Sequence, residues 1–207
     1  DNWEFIEKPT EGDWAENYYC VAWNVSQGNF CSLDVVSDTT NTIVENGDDN
    51  AVATYNGHPS WTALIPGATW IWEALHVADP LVDTTKTFEK TFTVEDVNNA
   101  TLSIAADNSY RVFINGDEVV IPTQGDEDNY HLENQDNGID VMSFIDENAE
   151  NTIEVEVKNW ALADSSWETN PAGALYKLVI NEGYENGVCE QPPSDDDVSD
   201  VTVCKYA

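Results

Sequence analysis

Between Phe88 and Val120 the chain alternates apolar and polar residues in three short runs, each ended by a polar turn. Phe88, Phe92 and Val94 share one parity; Leu102 with Ile104, and Val112 with Ile114, repeat it. A period of two is the signature of half-buried antiparallel strands, so the pattern predicts an all-β protein. Asn115-Gly116 separates the run ending at Ile114 from the one starting at Asp117. Because Asn-Gly tolerates positive φ at both central positions of a type I′ turn, a tight hairpin is expected there.

The residues of this region, Phe88-x-Lys-x-Phe92 followed by Ala100-Thr-Leu-Ser-Ile-Ala-Ala-Asp-Asn-Ser-Tyr-Arg-Val-Phe-Ile-Asn-Gly116, resemble the galactose-binding-domain-like jelly rolls. The similarity extends upstream to Ala68-Thr-Trp-Ile-Trp72 and downstream to Asn151–Asn159 and Asn170–Ile180, covering about residues 33–181. The resemblance implies an antiparallel jelly-roll β-sandwich, a fold that accompanies many glycosidases and occurs in surface proteins. It also implies binding of carbohydrate or another extracellular surface ligand, and a core strand at Trp70–Trp72 with one of the two tryptophans buried. Asp107, Asn108, Asn115 and Gly116 read as turn and strand-edge residues of this scaffold.

Outside that stretch the punctuation is regular. Leu33–Val36, Thr42–Val44 and Ala51–Ala53 are short β-like pieces divided by polar turns. Pro122–Asn137 is a long polar loop, and Ile139–Ile145 is expected to form a short helical turn with Ile139, Met142 and Phe144 or Ile145 facing the core. Strands follow at Thr152–Val157 and around Tyr176, Leu178 and Ile180. Residues 1–32 lack sustained periodicity and form an N-terminal extension; residues 182–207 form an acidic, Pro-containing linker and a C-terminal tail strand.

A chain of 207 residues suits one sandwich with extensions, and 41% hydrophobic content with 8 Trp is too apolar for a disordered acidic tail. Seven basic against 40 acidic residues give a net charge of −33, which repels nucleic acid and anionic membrane surfaces. Such acidity suits a saline habitat, where salt screens self-repulsion, and equally an ordinary acidic secreted protein. No apolar run approaches the roughly 20 residues of a membrane span.

Cys20, Cys31, Cys189 and Cys204 lie in the terminal segments, which points to disulfides in an oxidising compartment. Spacing favours Cys20 with Cys31 and Cys189 with Cys204, and a cross-terminal pairing stays open. Their spacings do not match a zinc site. With a chain opening at Asp1, these features give the expectation of a mature extracellular polypeptide, secreted or at the cell surface. Asn24-Val-Ser and Asn99-Ala-Thr are sequons for glycosylation, or chance matches in an Asn-rich chain.

No nucleophile elbow, zinc-protease motif, P-loop or dinucleotide fingerprint is present, so a non-catalytic protein is expected. Paired carboxylates do not discriminate, since 40 acids place some pair at glycosidase spacing by chance. Asp48 with Asp49, and Asp126 with Asp128, gather hard oxygen ligands in turns and are the candidates for a structural calcium; the bland alternative is a solvated acidic turn. Sugar binding combines an aromatic ring with nearby amides and carboxylates. That combination selects Tyr130 and His131 in one loop and Trp160 and Trp167 in another as ligand contacts, with packing lids as the alternative; His58 and His76 read as structural. The competing function is a structural subunit of an extracellular filament, a homopolymer joined through its terminal segments by strand addition.

Overall fold

The computed structural model describes residues 30–47, 49–54 and 58–183, together with the strand residues 4–5, 18–22 and 204–206. It divides into two compact units, Cys31–Gly183 and a smaller one drawn from both ends of the chain. Among the described residues no helix is long and apolar enough to cross a membrane.

In the smaller unit, β1 (Glu4–Phe5) and β2 (Tyr18–Ala22) come from the N-terminal side and β15 (Cys204–Tyr206) from the C-terminal side. They form a three-stranded sheet in the order β1-β2-β15, with Cys204 opposite Cys20. Cys31 lies in β3, and Cys189 and Asn24 lie outside the described residues.

The larger unit is an antiparallel β-sandwich. Its strands are β3 (Phe30–Val36), β4 (Thr42–Ile43), β5 (Asp49–Asn50), β6 (Val52–Ala53), β7 (Ile71–Trp72), β8 (Thr84–Val94) and β9 (Val97–Asp107). They continue with β10 (Ser109–Ile114), β11 (Asp117–Val119), β12 (Asp136–Asp140), β13 (Ala149–Asn159) and β14 (Gly173–Gly183). One sheet runs β11-β10-β13-β8-β4-β5 and the other β12-β9-β14-β7-β6, with β3 also on β14.

The alternation seen in the sequence is what closes the core. Along β13, Ile153, Val155 and Val157 are fully buried, whereas Thr152, Glu154, Glu156 and Lys158 between them are only partly so. From the facing sheet Leu102, Ile104, Tyr176, Leu178 and Ile180 meet them. Burying each such side chain is worth about 1.5–3 kcal/mol, which makes this double layer the main source of stability. The hairpin forms as expected: Asn115 has φ 53° and Gly116 φ 82°, and Ile114 pairs with Asp117.

Two local expectations change. Both Trp70 and Trp72 are buried: Trp72, in β7, enters the sandwich core, while Trp70, just ahead of that strand, joins a second apolar cluster with Trp61. The segment expected to form one helical turn instead splits into β12 and a short 3₁₀ turn, Met142–Phe144. Ile139, Phe144 and Ile145 pack on the core while Met142 is 43% exposed, since a three-residue turn cannot send both Met142 and Phe144 inward.

Candidate functional site

Strands β9 and β10 are nearly continuous in sequence but belong to different sheets, so the chain turns the corner of the sandwich within Asn108 alone. The Asp107–Asn108 peptide at that corner is cis. The Asn108 backbone N–H donates to the carbonyl of Lys158 at 3.1 Å, and its side-chain oxygen accepts from the Trp160 N–H at 2.9 Å. Its amide Nδ2 donates to the carbonyl of Glu127 at 3.0 Å. Asn108 therefore ties the end of β13 and the polar loop before β12 to one corner.

Asp107 closes β9 as a strand-end residue, and its side chain is buried. The parity of β9 sends Ala106 into the core and sends Ala105 and Asp107 to the outer face. There the segment 58–70 folds over them. Small residues make room: Ala105 is fully buried beneath the cover, and Gly173, opposite Asp107 in the ladder, has no space for a side chain, a Cβ meeting Trp70 at 2.9 Å and Trp61 at 3.1 Å. Trp61 and Trp70 stack with centroids 4.3 Å apart, and the Trp61 indole N–H donates to the Asp107 carboxylate at 2.6 Å.

Asp107 is only 4% exposed. Burial pushes its carboxyl up to about 7, against the opposing pull of the Trp61 hydrogen bond. Near neutrality this carboxyl is present in both forms and is able to donate or accept a hydrogen bond. Tyr130 lies against the same cluster, its phenol raised by burial and by the nearby charges of Asp107, Asp128 and Glu127.

The inner side of this end carries a second unusual group. Asn159 continues the inward parity of Val155 and Val157, is fully buried, and neither polar atom of its amide has a hydrogen-bond partner among the described residues. A buried amide without partners costs about 1–3 kcal/mol, so such groups mark places where something else supplies the bonds. The indole N–H of the next residue, Trp160, is likewise buried and unpartnered, and its ring receives the Lys158 ammonium at 5.7 Å.

The four aromatic candidates separate into two groups around the corner. Tyr130 and His131, both half-buried, meet edge to face at 4.5 Å, and Tyr130 packs on the Trp61–Trp70 cluster. Trp160 and Trp167 sit on the loop after β13, with Trp167 36% exposed and stacked on His76 at 3.8 Å. His58 lies between the groups: its ring is 6.1 Å from Trp61, and its Nε2 is 3.0 Å from the Glu168 carbonyl.

Among the candidates for calcium, Asp48 lies outside the described residues and Asp49 is exposed on β5. Asp126 and Asp128 are exposed in turns, and no group of three or more His, Cys, Asp or Glu side chains is placed to hold a metal among the described residues. Asn99 is exposed on β9. In the sequence Asp107 reads as scaffold and Asn159 as the start of an aromatic loop; neither reading foresees the burial of its side chain, although a polar residue on the inward parity of β13 is a visible signal for Asn159.

No family model and no curated protein matches the chain. Among solved structures it is similar to the α-L-rhamnosidase of Streptomyces avermitilis complexed with L-rhamnose, at 24% identity and a TM-score of 0.41 over 70% of this chain and 15% of that one. It is also similar to the α-L-rhamnosidase of Aspergillus terreus, at 23% identity and 0.36 over 54% and 14%, and to the β-glucuronidase of Ruminococcus gnavus in complex with uronic isofagomine, at 13% and 0.38 over 81% and 29%. The chain thus spans less than a third of each of these proteins. At such TM-scores the likeness decides nothing about the corner, whose chemistry rests on its own geometry.

Proposed function

We propose that this chain is a secreted, non-catalytic module of galactose-binding-like type that binds carbohydrate at the Asp107–Asn108 corner. The observation that carries the reading is the placement, on the outer face at one end of the sandwich, of a buried carboxyl bordered by half-buried rings. A sugar matches both halves of that description. Its hydroxyls supply donors and acceptors together, as the Asp107 carboxyl requires, and its apolar face suits Tyr130 and His131. Trp61 and Trp70 are too buried to offer a face and act as the wall that holds Asp107.

The extracellular reading draws on the four cysteines of the chain. The filament alternative gains no observation, since β15 pairs with β2 of its own chain.

A glycan array followed by calorimetric titration of the best ligand tests the proposal. Binding is expected, with a loss of at least about tenfold in affinity for Asp107→Asn and for Tyr130→Ala, each equivalent to roughly 1.4 kcal/mol. A blank array with folded protein, or unchanged affinity in both variants, would overturn it. Hydrolysis of the bound glycan would instead show an enzyme.

A further inference from the structure

The terminal sheet is small. Its strands span two, five and three residues, and the β2–β15 ladder joins segments from opposite ends of the chain through the pairs Cys204–Cys20, Lys205–Tyr19 and Tyr206–Tyr18. Strands this short are marginal on their own, and pairing them closes a long loop at an entropic cost. A ladder of this kind gains most from a covalent fastening.

Two of the four cysteines occupy directly opposed positions of this ladder. Opposed residues of an antiparallel pair have Cα atoms about 4.5–5.5 Å apart, inside the roughly 4.4–6.8 Å that a disulfide spans. We infer that Cys20 and Cys204 are joined by a disulfide that fastens the first part of the chain to its last. The bond departs from the pairing that spacing favours, because Cys20 joined to Cys204 is not available to Cys31.

The bond forms by exchange with an oxidant of the disulfide class, a small-molecule or protein disulfide. The thiolate of one cysteine attacks the oxidant's S–S bond, forming a mixed disulfide and releasing one thiol. The thiolate of the other then attacks the protein sulfur of that mixed disulfide and releases the second thiol. Two protons and two electrons pass from the cysteines to the oxidant.

The test uses the full chain expressed into an oxidising compartment, with free thiols alkylated in denaturant before digestion and mass spectrometry without reduction. A peptide containing Cys20 linked to one containing Cys204 is expected, separating on reduction with one hydrogen gained by each. In Cys204→Ser, Cys20 is expected to become alkylated. Because alkylation is performed in denaturant, the pattern is readable even if the variant folds poorly. Cys20 found linked to Cys31 or Cys189, Cys20 alkylated in the unaltered chain, or Cys20 left unlabelled in the Cys204→Ser variant would each overturn the inference.

Discussion

At the scale of single residues, Asp107 sets stability against function. Burial lifts its carboxyl from the ordinary 3.8 to about 7, so the folded chain holds a proton that the unfolded chain has released. The stability linked to that proton is full below about pH 4 and is lost as pH rises to about 7. The gap corresponds to roughly 4 kcal/mol as an upper bound. Asp107→Asn retains an oxygen for the Trp61 indole and removes the ionisation. Thermal melts across pH 4 to 8 should show the variant overtaking the parent as pH rises, by a few kcal/mol at pH 8, together with the loss of sugar binding. Parallel curves for the two proteins would show that the Asp107 carboxyl does not govern this range. The trade is common at sites where a group is held for its chemistry and against its solvation preference.

At the scale of elements, the β10–β11 hairpin shows how a turn residue acquires a second task. Asn115 was legible as half of a type I′ turn, but its side chain reaches beyond the turn. Its Nδ2 donates to the Phe144 carbonyl at 3.0 Å and to the Asn151 side-chain oxygen at 2.8 Å, and its Oδ1 accepts from the Thr152 N–H at 2.9 Å. Asn151 is fully buried and itself holds the Asp146 N–H and carbonyl, so the turn, the 3₁₀ segment and the start of β13 form one network. Asn115→Gly keeps the positive φ and deletes the network. Chemical denaturation should find it about 1–3 kcal/mol less stable than the parent. A change within about 0.5 kcal/mol, the range of ordinary surface substitutions, would reduce Asn115 to a turn former.

At the scale of the whole molecule, charge dominates. Every basic residue whose side chain is described already has an acidic partner: Lys86 with Glu73, Lys90 with Asp38, Arg111 with Glu118 and Glu156, Lys158 with Asp83, and Lys177 with Asp34. With 40 acids against 7 bases, most carboxylates are left to repel one another. Salt weakens both effects, but partly exposed pairs are worth only about 0–1 kcal/mol each, whereas the uncompensated charge acts over the whole surface. Raising NaCl from about 0.1 to 1 M shortens the screening length from roughly 10 to 3 Å. The melting temperature should rise by at least about 3 °C, measured calorimetrically. A fall would mean that the ion pairs outweigh the net repulsion.

The sequence alone determined the β architecture, because inward and outward positions of a strand differ by one residue and must therefore be written in the apolar pattern. It also determined the Asn115-Gly116 turn, whose positive φ few residue types accept, and the strong negative charge. Only the tertiary structure decided what covers each face. Parity sends Asp107 outward, yet it cannot say that residues 58–70 fold over that face, that Gly173 clears the space for two indoles, or that the outer position is as dry as the core. Nor can it pair Cys20 with Cys204, which takes register between segments from opposite ends of the chain. Alternation is local and is fixed by backbone geometry; burial and cross-chain register come from contacts between distant segments.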